Sequence, residues 1–104
     1  MIFYVAGKMT GLENKGREHF FAAEEKLNSL GHIVINPAKL PDGLSNQAYM
    51  SIGFSMIDSA DALYVLDNYE NSPGAALEIQ YATYTSKKVF KEGVNDCDIP
   101  HTAN

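Results

Sequence analysis

The chain predicts an α/β fold: a three-layer sandwich with a short parallel sheet, flavodoxin- or Rossmann-like. Three observations predict it. Short apolar runs alternate with segments of helical period, the pattern of successive βαβ units. The runs Ile2 to Ala6 and Ala62 to Leu66 are continuously apolar, as strands covered on both faces are. With 104 residues the chain suits one domain with one core.

Ile2 to Ala6 is the first strand, and Gly7 to Glu13 a loop. Asn14 caps a helix running to Leu30, with Phe20, Ala23, Leu27 and Leu30 on one stripe and Gly31 as its stop. His32 to Asn36 forms the second strand, ended by Pro37. Residues Pro37 to Leu44 are a loop with an Asp42-Gly43 turn. Ser45 caps a second helix, ending near Ser59, whose inner face carries Tyr49, Ile52 and Met56. Ala62 to Leu66 is the third strand. Ser72 caps the third helix with Pro73 at its first position, where the missing amide hydrogen costs nothing. Leu77, Tyr81 and Tyr84 make its buried stripe. Lys87 to Lys91 supplies a fourth strand. The domain thus spans residues 1–91, and 92–104 read as a polar, disordered C-terminal tail.

Right-handed crossovers and the lengths of these units give a four-stranded parallel sheet sandwiched by helices, and the strand order expected for it is 2-1-3-4, that of a truncated flavodoxin-like sheet. The switch point then falls between strands one and three, where open parallel sheets bind ligands. The loops after Ala6 and Leu66 meet there, and Glu78 looks into the crevice.

Bulk composition narrows the function classes. Formal charge is −5 and the 8 Lys and Arg are scattered, so a polymeric nucleic-acid partner is not expected. Small anions remain open, because helix amino ends bind phosphate without a basic surface. Cys97 is the only cysteine, which rules out an intramolecular disulfide or a cysteine-based zinc cluster and fits a reducing compartment. The opening residues are too short a run for a signal peptide or membrane span, so no membrane partner and a cytoplasmic location are expected.

Several familiar motifs fail. Gly7-Lys8-Met9-Thr10-Gly11 lacks the following Gly-Lys-Ser/Thr of a Walker loop, and Met9 stands where a dinucleotide fingerprint needs glycine. Ala6-Gly7 replace the acidic pair of a receiver domain, although Asp67 ends the third strand as a phospho-acceptor would. His19, His32 and His101 have no metal-ligand spacing, and no serine sits on a nucleophile elbow. Asp96-Cys97-Asp98 makes at most a weak metal motif, and no metal or organic cofactor is expected. What remains is Glu78, with Gly74 and Ala75 on its helix face. Small side chains leave open ground beside the carboxylate, and Ser72 with the first free amides can hold a phosphate or a ribose hydroxyl. The plainer alternative is a solvated glutamate beside small residues that merely permit close packing.

Tyr4-Val5-Ala6-Gly7-Lys8-Met9-Thr10-Gly11, Asn36-Pro37-Ala38, Asp61-Ala62-Leu63-Tyr64-Val65-Leu66 and Ser72-Pro73-Gly74-Ala75-Ala76-Leu77-Glu78, in this order, resemble the nucleoside 2-deoxyribosyltransferase-like superfamily. Within it the chain is most similar to a small uncharacterised bacterial and phage branch. The resemblance implies chemistry at an N-glycosidic bond. The glutamate matching Glu78 attacks the anomeric carbon, the base departs, and water or another base resolves the covalent sugar. Tyr4 would touch this nucleophile, although a strand tyrosine is more often core. Gly7 and Lys8 would line the sugar and base pocket through their backbones, flanked by Ala6 and Met9. Asn36, Tyr69 (tryptophan in many relatives) and Ser72-Pro73-Gly74-Ala75 complete the candidate substrate contacts. Asn36 has the alternative of simply ending its strand, and Tyr69 of sealing its loop. Ser72 stands where the hydrolase members bind a 5′-phosphate and the transferases carry aspartate, which favours a nucleotide over a free nucleoside.

One departure matters. Relatives carry an aspartate on the second helix, eight residues before the one matching Asp61; here that position is Gly53. The missing aspartate assists the leaving base, and such help is worth ~10²–10⁴ in rate. Asp67 is the candidate substitute; Asp58 is turned away from that helix face. Two functions follow: an N-glycosidase or deoxyribosyltransferase, or a catalytically weak or inactive nucleotide-binding module on the same scaffold. The resemblance also implies a homodimer, and Tyr49, Phe54, Tyr81 and Tyr84 supply apolar area for one.

Overall fold

The computed structural model of the chain describes residues 1–101. Its strands are β1 (Ile2–Ala6), β2 (Ile33–Ile35), β3 (Ala62–Val65) and β4 (Lys88–Lys91), and its long helices are α1 (Arg17–Ser29), α2 (Asn46–Asp58) and α3 (Pro73–Tyr84). The strands form one parallel sheet in the order β2-β1-β3-β4. Tyr4 at the centre of β1 pairs with Ile35 on one side and Leu63 on the other.

Residues alternate across a strand, and so the sheet has two unlike faces. Phe3, Val5, Tyr64, Leu66 and Phe90 pack under α1 with Phe20, Ala23 and Leu27. Tyr4, Ala6, Leu63 and Val65 pack under α2 and α3 with Ile57 and Ala82. The first face is filled by rings and large aliphatics, the second by smaller side chains.

The helix boundaries and stripes depart from the sequence expectation at identifiable places. Helix α1 starts at Arg17, not Asn14, because Asn14, Lys15 and Gly16 all take left-handed backbone angles (φ 50°, 55° and 67°). A right-handed helix cannot run through them. On α2 the Ser45 cap is in place, its Oγ accepting from the Ala48 N–H at 3.1 Å. The buried residues are Gly53 and Ile57, while Tyr49, Ile52 and Met56 are only half-buried. On α3 the inner stripe is Ala75, Glu78 and Ala82; Leu77 is 49% exposed and Tyr84 90%. Apolar residues surround α3 on all sides, so hydrophobicity does not say which face turns inward. The small residues decide, because they let the helix come close to the sheet.

Residues 92–101 are part of the fold, which corrects the expected disordered tail. Ile99 is buried in the α1-side core. Tyr64 donates its hydroxyl to Asp96 Oδ1 at 2.6 Å, and Lys26 Nζ lies 3.0 Å from the same oxygen. His32 Nε2 donates to the Pro100 carbonyl at 2.5 Å, while its Nδ1 accepts from the amino terminus at 3.0 Å. The last three positions of the expected tail, 102–104, lie outside the described residues.

Candidate active site

The Glu78 carboxylate and the Tyr4 hydroxyl meet on the α2/α3 face. Ser72 starts α3, its Oγ accepting from the Ala75 N–H at 3.1 Å with Pro73 next in line. The stripe Ala75–Glu78–Ala82 then turns Glu78 inward over β1, where Tyr4 donates its hydroxyl to Glu78 Oε2. Glu78 keeps 9% of its exposure and Tyr4 1%. Burial strips water from the carboxylate and raises its pKa to about 7, while the Tyr4 hydrogen bond acts in the opposite sense. The Tyr4 hydroxyl is held well above the ordinary tyrosine range, first by burial and then by the charge and hydrogen bond of Glu78. Tyr4 is therefore a fixed donor, and Glu78 the group that titrates near neutrality.

Gly53 closes this pair from α2. A Cβ at Gly53 would stand 2.8 Å from Glu78 Oε2 and 3.2 Å from the Tyr4 hydroxyl oxygen. The position where the resemblance leads one to expect an aspartate thus lies directly beside the carboxylate. Gly74, one turn before Glu78, has looser surroundings: a Cβ there would meet Met50 Sδ at 3.8 Å and Ser72 Oγ at 4.0 Å. Met50 escaped the sequence reading. Its signal was its position three residues before Gly53, on the same face of α2.

The loops after β1 and β3 are stitched together as the switch point requires. The Lys8 N–H donates to Asn68 Oδ1 at 3.1 Å and the Leu66 N–H to the Ala6 carbonyl at 2.8 Å. Gly7 is needed for this approach, since a Cβ there would come within 2.7–3.0 Å of Leu66.

The expected site residues divide into two groups. Tyr4, Ser72, Gly74, Ala75 and Glu78 share the α2/α3 face, although Ala75 is buried against the sheet and Pro73 is exposed beside it. Tyr69 packs at the margin of the same cluster, its ring 5.2 Å from Lys91 Nζ. Ala6 is fully buried, and Met9 packs into the α1-side core. Asn36 also turns to that side. Its Oδ1 accepts from the Ala38 N–H at 2.9 Å and its Nδ2 donates to Phe20 O and Glu24 Oε1, so its polar atoms serve the fold. Asp67, expected as a substitute acid, is grouped with His19 of α1 and Glu92 rather than with Glu78. Asp58 is occupied at the surface by the Tyr81 hydroxyl.

Residues 1–91 match a family model described as a domain of unknown function, DUF4406. The chain belongs to the DUF4406 family. No curated protein matches the DUF4406 chain. Among solved structures it is similar to a 2-deoxyribosyltransferase from the psychrotolerant bacterium Bacillus psychrosaccharolyticus, with TM-score 0.69 and 24% identity over 88% of this chain and 71% of that one. It is similar also to a 2-deoxyribosyltransferase from Leishmania mexicana, with TM-score 0.70 and 17% identity over 86% of this chain and 62% of that one. At such identities the likeness establishes the fold: this DUF4406 protein has a nucleoside 2-deoxyribosyltransferase-like fold and spans less than two thirds of the Leishmania protein. Among its described residues no helix is long and apolar enough to cross a membrane.

Proposed function

We propose that the protein cleaves or exchanges the base of a small deoxyribonucleotide or nucleoside, with Glu78 as the nucleophile. The observation that carries this reading is a carboxylate buried against a tyrosine hydroxyl between α3 and the middle of β1, where burial raises its pKa to about 7. A desolvated carboxylate is a stronger nucleophile once ionised. In the reaction Glu78 forms an ester to the anomeric carbon as the C–N bond breaks and the base leaves with the electron pair. Water or a second base then displaces the carboxylate. Tyr4 holds Oε2 in place throughout, and Ser72 with the opening amides of α3 faces the phosphate or sugar hydroxyls. Gly53 offers the departing base no acid, which makes this a slow enzyme, by ~10²–10⁴ relative to one with a positioned acid.

The test is to incubate the protein with each deoxynucleoside and its 5′-monophosphate and to separate free base by chromatography. Base release that disappears in Glu78→Ala is expected. Absence of release from every substrate, with wild type and Glu78→Ala alike, would end the enzymatic reading. Gly53 favours a second reading, a nucleotide-binding module without turnover. Its signature is a higher melting midpoint with a nucleotide and no product.

The same reading includes a homodimer in the reducing cytoplasm, built on the outer face of α3. Leu77 and Tyr84 stand exposed there, and an apolar hollow of about 460 Å³ is bounded by Tyr69, Ala76, Ile79, Gln80, Thr83 and Tyr84. A dimer by light scattering at micromolar concentration is expected; a clean monomer contradicts it.

A further inference from the structure

Two carboxylates and an imidazole meet on the α1 face, apart from the Glu78 pair, and they come from three distant parts of the chain. His19 lies in the first turn of α1, Asp67 follows β3 and Glu92 follows β4. His19 Nε2 stands 2.7 Å from Glu92 Oε1 and 3.8 Å from Asp67 Oδ1. One donor atom from each residue lies within 4.8 Å of the other two. The Asp67 backbone N–H donates to Glu92 Oε1 at 2.9 Å and ties the two strand ends together. Among the described residues no lysine or arginine makes an ion pair with either carboxylate. A single imidazole carries at most one positive charge, so the cluster lacks at least one.

Beside the cluster, at the carboxyl ends of β3 and β4, is a hollow of about 320 Å³ whose wall includes Asp67, Tyr69, Glu70, Lys91 and Glu92. Two of the three donors thus border open space.

We infer that His19, Asp67 and Glu92 bind a divalent transition-metal cation of the zinc class. Donors on a tetrahedral ion with bonds of ~2.0–2.2 Å stand roughly 3.4 Å apart. To reach that spacing the 2.7 Å pair opens and the 3.8 Å pair closes by less than about 1 Å each, and the Asp67–Glu92 pair, within 4.8 Å, closes by at most roughly 1.4 Å, movements open to an exposed Asp67 and to part-exposed His19 and Glu92. One imidazole nitrogen with two carboxylates selects zinc-like ions over magnesium and calcium, which take oxygen alone. The ion replaces the direct His19–Glu92 hydrogen bond, and the Asp67 amide remains as a supporting donor that orients Glu92. The fourth position faces the hollow. Spacing in the sequence gives no hint of this site, because only the parallel β3–β4 pairing and the first turn of α1 bring the three residues together.

Calorimetric titration of the metal-free full chain with Zn²⁺, alongside Co²⁺ absorption spectra, tests the inference. One equivalent of Zn²⁺ bound, with a Co²⁺ visible band of low-coordinate type, is the expected result. His19→Ala and Glu92→Gln should each weaken Zn²⁺ binding at least about tenfold, and Asp67→Asn, on an exposed loop where folding is not at stake, should weaken it too. Cys97→Ser and His101→Ala should leave affinity unchanged. Zn²⁺ affinity that survives both His19→Ala and Asp67→Asn, or that is lost with Cys97 or His101, overturns the assignment. So does an affinity weaker than about 1 mM in the unaltered chain, or tighter binding of Mg²⁺ or Ca²⁺ than of Zn²⁺.

Discussion

The two faces of the sheet do opposite things for the molecule. The α1 face is a conventional core in which Phe3, Phe20, Tyr64 and Phe90 exclude water. The Phe3 and Phe90 ring centroids stand 5.6 Å apart, and every buried ring there adds stability. The α2/α3 face is built from smaller side chains around a glutamate that would be better hydrated outside. One face stabilises the fold, and the other uses that stability to hold a carboxylate where its charge is costly. Carboxylates held at such a cost cluster at functional sites, and the well-packed opposite layer offsets that cost here.

Removing packing from the first face has the largest expected effect. Phe20 is 1% exposed between α1 and the sheet. Phe20→Ala should cost about 3–5 kcal/mol, with little dependence on pH. Chemical denaturation at pH 5 and pH 8 measures it. A loss below about 1 kcal/mol would mean that the α1 layer is not the main source of stability.

The second face should respond in the opposite direction. The folded-state pKa of Glu78, about 7, lies above its ordinary 4.5, so between those values the folded chain holds more protons than the unfolded one. Stability from this group falls as pH rises through that window, is unaffected below it, and is fully lost above it. Glu78→Gln removes the charge but keeps the oxygen that accepts from Tyr4. It should therefore stabilise the protein at pH 8 by on the order of 2–3 kcal/mol, and by nearly nothing at pH 4. The same substitution should abolish base release. Equal stabilities of the two proteins at pH 8 would show that the carboxylate is hydrated after all.

The contrast between the faces also explains what could be read from the sequence. The parallel sheet was legible because β1 and β3 are unbroken apolar runs joined through helices; handedness alone leaves more than one strand order, and the truncated flavodoxin-like pattern supplies 2-1-3-4. Glu78 was legible because Ser72, Pro73 and the small residues after them mark a helix start at a switch point. The inner stripe of α3 was not, because Leu77 and Tyr84 are as apolar as anything inside, and close approach to the sheet selects Ala75 and Ala82 instead. The start of α1 was hidden in the left-handed run Asn14 to Gly16, which no apolar pattern reports. Residues 92–101 read as a tail because they are held largely by polar contacts, Tyr64 to Asp96 and His32 to Pro100. The His19–Asp67–Glu92 cluster depends on tertiary contacts alone, whereas Met50 shares a helix face with Gly53 and could have been found by that spacing.

The smallest expected effect on stability falls at Gly53, where two terms oppose each other. Glycine inside a helix is worse than alanine by roughly 1 kcal/mol, so Gly53→Ala gains that much from α2 itself. Against it, the new Cβ would lie 2.8 Å from Glu78 Oε2, closer than real contacts allow. The carboxylate is the far end of a side chain and can swing aside, but doing so loosens the bond from Tyr4. Net stability should therefore change by less than about 1 kcal/mol, while base release or nucleotide binding falls along with the Tyr4–Glu78 pairing. Denaturation curves and the pH titration of Glu78, followed by carboxyl-carbon NMR, separate the two terms. If Gly53→Ala leaves both the titration midpoint and ligand response unchanged, α2 does not press on the carboxylate, and the glycine is there only for helix–helix packing.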